Sequence, residues 1–184
     1  LDSLGSTANG VVYGRRYDVE GTNKRFTYGA MLTGLIGNAS SKLGKIAWQA
    51  FAYKQGGNNR DGQELDAYHY GLNASIQKGK FSFGPGYEVL SGNNTVSPDG
   101  KDHRFDPLYG TPHRHWGYMD YFYVGTGAAA GGLSNAFFKT KYVVNPNLYL
   151  TLDLHNFALA NVMKNVLDAT GGNIARHLGN EFDF

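Results

Sequence analysis

"LDAYHYGLNASIQ", residues 65–77, decides the fold. Taken alternately, Asp66, Tyr68, Tyr70, Leu72, Ala74 and Ile76 form a largely apolar and aromatic series. The residues between them, Leu65, Ala67, His69, Gly71, Asn73, Ser75 and Gln77, form a smaller and more polar one. A period of two residues places the two series on opposite faces of a β-strand.

The same alternation recurs on both sides of this stretch. Residues 80–91 set Phe81, Phe83, Pro85, Tyr87 and Val89 against Lys80, Ser82, Gly84, Gly86 and Glu88. Residues 147–157 set Leu148, Leu150, Leu152 and Leu154 against Tyr149, Thr151, Asp153 and His155. Residues 134–143 oppose Ala136, Phe138, Thr140 and Tyr142 to Asn135, Phe137, Lys139 and Lys141, and residues 25–37 oppose Phe26, Tyr28, Ala30, Leu32 and Ile36 to Arg25, Thr27, Gly29, Met31 and Thr33. Residues 10–18 and 45–54 alternate less cleanly, and 179–184 gives a short last strand with Phe182 and Phe184 against Glu181 and Asp183. About eight antiparallel strands are thus predicted, an all-β, up-and-down arrangement.

Composition agrees. The chain has 26 glycines, 13 tyrosines and 11 phenylalanines, which favours strands over helices. It has no cysteine, which excludes a disulfide framework and thiolate chemistry. Seventeen basic residues against 15 acidic ones give a net charge of +2, without the footprint of a nucleic-acid partner. No run reaches the ~18 apolar residues of a transmembrane helix, although a β-barrel needs none. The chain starts at Leu1 without a charged-then-apolar leader, and is expected to be a processed or excised piece.

The connections alternate in length. Residues 38–44, 77–80 and 144–147 are short turns, and long loops are predicted near 55–64, 92–132 and 158–178. Strands of ~10 residues joined in this rhythm suit an outer-membrane barrel, with its short turns periplasmic and its long loops external. A soluble barrel would hide its apolar face inside, whereas a membrane barrel turns that face to lipid and its polar face to a wet lumen. Three features favour the membrane. Aromatics recur near strand ends (Tyr28, Tyr68, Tyr70, Phe81, Tyr87, Tyr142), several strands are long enough to span, and the polar faces carry full charges. The 161–172 segment, "NVMKNVLDATGG", places Val162, Met163, Val166 and Leu167 on one helical face, so a short helix capping the loop is expected there.

An ordered series of motifs carries a resemblance. "YEVLSGNN" (87–94), "FDPLYGTPHRHWGYMDYF" (105–122), "GLSNAFFKTKYV" (132–143), "LTLDLHNF" (150–157) and "LGNEFDF" (178–184) resemble the alginate-export family of outer-membrane porins. "DAYHYGLNASI" (66–76) resembles the strand that precedes this series. The resemblance implies a large single-chain barrel that passes polymers or small solutes across the outer membrane of a Gram-negative bacterium. Residues 1–184 would then be one partial barrel, the C-proximal part of a larger one. The family's exporter lines its pore with arginine and lysine. Here the polar faces are mixed, with Arg25, Lys80, Lys139, Lys141, His69 and His155 against Glu88, Asp153, Glu181 and Asp183.

The densest cluster of chemical groups is "HRFDPLYGTPHRHWGYMDYF", 103–122. His113 and His115 would share one face of a strand, a spacing that a metal could use. No cysteine supports them, and no GxSxG, HExxH or Ser–Lys pair is present. Neither enzyme activity, nor a metal, nor a cofactor is expected. The plain reading is a loop packed on its own aromatics (Phe105, Leu108, Tyr109, Trp116, Tyr118), with Arg104 paired to Asp106. The functional reading adds Arg104, Asp106, His113, Arg114, His115 and Asp120 as pore-mouth groups, beside the lumen candidates Arg25, His69, Lys80, Glu88, Lys139, Lys141, Asp153 and His155. Lys139 and Lys141 would either steer anions or pair with acids such as Asp153. The partners expected are outer-membrane lipid and a polysaccharide or small polar solute. The rival to a channel is a complete eight-stranded barrel acting as a ligand-binding or structural protein.

Overall fold

The structure, a computed structural model, describes residues 5–11, 14–17, 24–37, 42–59, 61–107, 116–119, 130–165, 167 and 170–184. Nine strands form one antiparallel sheet. They are β1 (Gly5–Val11), β2 (Gly14–Tyr17), β3 (Lys24–Ile36), β4 (Lys45–Asn58), β5 (Glu64–Lys78), β6 (Phe81–Leu90), β7 (Leu133–Asn145), β8 (Leu148–Ala158) and β9 (His177–Asp183). From β3 to β9 each strand pairs with the next in sequence, an up-and-down order. β1 and β2 lie end to end on the free edge of β3. Among the described residues the β1/β2 edge and β9 are not paired with each other, so the sheet is open.

The registers give the faces. Thr27 pairs with Gln55 and Gln55 with Ala67, while His69 lies opposite Tyr53, Glu88 opposite Asn135, Lys139 opposite Asp153, and Asp153 opposite Asp183. All of these stand on one face, the polar one. The other face carries Tyr28, Leu32, Ile36, Trp48, Tyr68, Tyr70, Leu72, Ile76, Phe83, Tyr87, Phe138, Leu150 and Phe182. Between the Tyr28–Lys54–Tyr68 row and the Lys78–Phe81–Tyr142 row, this apolar face has no Asp, Glu, Lys, Arg or His in β3–β9. At ~3.3 Å per residue, Tyr68 to Lys78, from one row to the other along β5, spans about 33 Å of strand.

Burial is inverted relative to a water-soluble sheet. Leu72 is 59 % exposed, Leu150 58 % and Phe182 61 %, while Glu88, Asn135, Asp153, His155, Glu181 and Asp183 are all buried. Leaving such a row of large apolar side chains in water forgoes ~1.5–3 kcal/mol for each one. The polar face is covered where the long loops begin. There its residues turn apolar: Leu65, Ala67, Leu90, Leu133 and Phe157 form a core with Phe105 and Trp116 of the β6–β7 connection.

Glycine and aromatic side chains interlock across the strands. The Phe51 ring lies over Gly71, Phe137 over Gly86 and Tyr53 over Gly29, each in the space that a Cβ would fill. Such pairs pin register and restore the packing that glycine lacks. They also account for aromatics on the polar face of β4, where the sequence alternates poorly.

Two expectations are corrected. β4 runs on to Asn58, so the connection predicted for 55–64 shrinks to the few residues before Glu64. There Asn59 Oδ1 accepts from the N–H groups of Asp61 and Gln63. Residues 161–165 are not helical. Lys164 bridges Asn173 in antiparallel fashion, Asn165 N–H donates to Gly172 O at 2.9 Å, and Ile174 N–H to Met163 O at 2.8 Å. β-Branched and Asn residues are weak helix formers, and pairing across a Gly171 turn (φ 76°) satisfies the same backbone groups.

Candidate functional site

The β6–β7 connection folds back onto the polar face and is fastened there at two places. The first is Asp102, whose backbone pairs with β5: Asp66 N–H donates to Asp102 O, and Asp102 N–H to Glu64 O. Its side chain is 1 % exposed. It accepts from Arg104 Nε at 2.8 Å, Arg104 Nη2 at 2.9 Å and Asn59 Nδ2 at 2.8 Å. Burial alone would raise the pKa of this carboxyl, but the hydrogen bonds from Arg104 and Asn59 outweigh burial and hold it down at about 2. Asp106 follows. Its N–H donates to Gln55 Oε1 at 2.9 Å, its carbonyl accepts from Gln55 Nε2 at 2.6 Å, and its carboxylate pairs with Arg25.

The expected Arg104–Asp106 pair is therefore replaced. Arg104 binds Asp102 and Asp106 binds Arg25. In this arrangement the loop does not pack only on itself. Phe105 lies 5.2 Å from the His69 ring and Trp116 6.4 Å from it, so the loop aromatics pack on the strands. Tyr118, expected among the packed aromatics, is 59 % exposed.

The second attachment lies at Tyr118 and Met119. Met119 N–H donates to Glu181 Oε1 at 2.7 Å, and Tyr118 N–H to Asp183 Oδ2 at 3.4 Å. Gly117 makes this approach possible. It has φ 81°, and a Cβ there would strike the Glu181 carboxylate.

Beneath this roof a band of ionisable groups crosses β5 to β9. His69 Nε2 lies 3.5 Å from Glu88 Oε2, Asn135 Nδ2 donates to Glu88 Oε1 at 3.1 Å, and Asn135 Oδ1 meets His155 Nδ1 at 3.0 Å. His155 Nε2 is 3.8 Å from Asp183 Oδ2, and Lys139 pairs with Asp153 at 3.1 Å. Lys139 and Asp153 form an ion pair in this band, whereas His69 and His155 complement their acids only when protonated, and Asp153 stands opposite a second acid, Asp183. Among the described residues no three His, Asp or Glu side chains form a metal-holding group.

The predicted site residues therefore divide. Arg25, His69, Glu88, Asp106, Lys139, Asp153 and His155 come together on the polar face or directly above it. Lys141 shares this face but stands nearer the short turns, its Nζ 4.0 Å from the Tyr149 ring centroid. Lys80 sits in the β5–β6 turn and donates to Val144 O at 2.8 Å, so it braces a neighbouring turn rather than joining the band on the polar face. Arg104 lies at the loop surface on Asp102. His113, Arg114, His115 and Asp120 lie outside the described residues. The reading of sequence missed Gln55, Asn59, Asp102 and Asn135. Asn135 and Gln55 do lie on the polar parity of their strands, which was the one signal available.

Comparison with protein-family models, with curated proteins and with solved structures gave no match.

Proposed function

We propose that the chain builds part of the wall of an outer-membrane β-barrel channel of the exporter-type porin class. In this reading the apolar face meets lipid, the polar face lines an aqueous lumen, and residues 91–107 and 116–119 narrow that lumen from the external side. The observation that carries it is the inversion of the sheet: an uncharged band of exposed Leu, Phe and Tyr on one face, and Glu88, His155, Asp153, Glu181 and Asp183 buried on the other. Transmembrane barrels have an apolar band ~25 Å tall with aromatic girdles and a polar interior. A strand span of about 33 Å between the bounding rows, inclined at ~40°, comes to ~25 Å of height.

The open edges fit the same reading. A spanning sheet cannot leave unpaired N–H and C=O groups in hydrocarbon, so further strands must pair with β9 and with the β1/β2 edge. The ordered motifs between Tyr87 and Phe184 are the reason for placing the channel near the alginate-export porins, in the outer membrane of a Gram-negative bacterium. Transport is then diffusion of a polysaccharide or small polar solutes past the loop and the band of ionisable groups, with no chemical step.

Reconstitution into planar lipid bilayers of the whole barrel, this chain together with the strands that its open edges require, tests this reading. Stepwise conductance, with protein that needs detergent to stay monodisperse, is expected. Protein that is monodisperse without detergent and electrically silent would overturn it.

A further inference from the structure

The short-turn end of the sheet is rich in lysine and poor in acid. Lys42, Lys45, Lys78, Lys80 and Lys141 are all exposed there, and no Asp or Glu stands among the described residues of 34–48, 73–85 or 140–151. Lys45 and Lys141 belong to the polar face, opposite Gln77 and Thr151. The other three edge the apolar face. Lys78 lies on it, in the row of Phe81 and Tyr142, and Lys42 and Lys80 sit in the turns beside it.

These ammonium groups are held but not neutralised. Lys78 Nζ donates to Lys42 O and Lys80 Nζ to Val144 O, each at 2.8 Å. A carbonyl fixes an ammonium in place and leaves its charge and two further N–H donors free. The long-loop end is built otherwise. There Lys54 pairs with Asp66, and Lys101 with Glu64 at 2.6 Å.

We propose that the short-turn rim binds the phosphodiester headgroups of anionic phospholipids in the leaflet that these turns face. The inference rests on the membrane reading of the apolar face and adds a lipid class to it. An anionic phospholipid carries its charge directly above its acyl chains. The rim offers the same order: lysines at the turns, then the Phe81 and Tyr142 rings 4.6 Å apart, then Ile76, Phe83 and Leu72 along the strands. Aromatic rings at headgroup level with apolar residues beneath are the expected seat of a lipid, and a long lysine reaches from it to the phosphates. A free phosphate would engage the lysines alone and leave the apolar neighbours unused. Each lysine near an anionic membrane surface adds to the attraction, provided that no carboxylate cancels it.

The test uses the whole barrel in lipid vesicles, with a fluorophore on a cysteine introduced at Ile76, two residues from Lys78 on the same face; this chain has no cysteine of its own. Quenching by brominated phosphatidylglycerol and by brominated phosphatidylcholine is compared at equal mole fraction. Phosphatidylglycerol should occupy the labelled position about fivefold more readily at low salt. The preference should fall towards parity in ~1 M salt, where the Debye length is about 3 Å. Lys42→Gln combined with Lys78→Gln and Lys80→Gln should abolish it, whereas Arg at the same three positions should keep it, which a mere bracing of the turns would not predict. Lys54→Gln with Lys101→Gln, at the other end, should leave it unchanged. Should the glutamine variant fail to fold, the arginine variant and the salt series read the same preference. Inorganic phosphate added at constant ionic strength should change nothing; loss of the preference would mean that the lysines take a free anion, and would overturn the proposal. Equal quenching by the two lipids at low salt would overturn the proposal and leave the membrane reading standing. Quenching by neither lipid would overturn both.

Discussion

Asp102 and Gly117 are the residues on which the inward fold of the β6–β7 connection depends most. Asp102 has its carboxyl held at about 2 against an ordinary 3.8, so the ionised form is the one that the folded loop binds. A depressed folded pKa contributes stability that is complete above the unfolded value and is lost as pH falls through the folded one. The protection of the Asp66 and Asp102 amides, relative to their intrinsic exchange rates, should therefore be full at pH 5 and fall progressively between about pH 4 and pH 2. Unchanged protection across that window would show that the carboxylate does not hold the loop. Gly117 is constrained twice, by φ 81° and by the Glu181 carboxylate where a Cβ would go. Gly117→Ala should lift residues 117–119 and expose the Met119 amide to exchange, at a local cost of roughly 1–3 kcal/mol. The Asp102 amide should keep its protection, because that attachment is separate.

At the scale of elements, the β6–β7 connection acts as a fixed roof rather than as a strand connector. Arg25 and Gln55, from β3 and β4, hold Asp106 by side chain and by backbone. Arg25→Ala combined with Gln55→Ala should release the segment around Asp106 while leaving the sheet paired. Protease cleavage between residues 101 and 119 should rise, and conductance in bilayers should increase as the lumen widens. Unchanged conductance together with enhanced cleavage would place the loop outside the conducting path. This fastening was not legible in the sequence. The stretch 103–122 announced itself by its aromatics and charges, but Arg104 stands closer in sequence to Asp106 than Arg25 does, and only the fold brings Arg25 across. By contrast β5, β6, β7 and β8 could be read directly, because a tight turn links each hairpin and one face of each strand is nearly all apolar. β4 resisted for a physical reason: Phe51 and Tyr53 sit on its polar face, where they cover Gly71 and Gly29. The helix expected within 161–172 is not formed at residues 161–165, because its apolar spacing was equally compatible with the antiparallel bridge of Lys164 to Asn173.

For the whole molecule, everything rests on which solvent each face meets. The apolar face has no charged side chain between its bounding rows in β3–β9, whereas the polar face buries Glu88, Asp153, His155, Glu181 and Asp183. The most direct measurement attaches an environment-sensitive fluorophore to single cysteines introduced at Leu72 and Leu150, and at Ser75 and Thr151, in protein reconstituted into lipid vesicles. Leu72 and Ser75 lie on opposite faces of β5, and Leu150 and Thr151 on opposite faces of β8. Brominated lipid should quench the label at Leu72 and Leu150 strongly and leave Ser75 and Thr151 nearly untouched, while aqueous iodide should do the reverse. Iodide quenching at Leu72 and Leu150, with no response to brominated lipid, would mean that the apolar face is not in the membrane and would contradict the account.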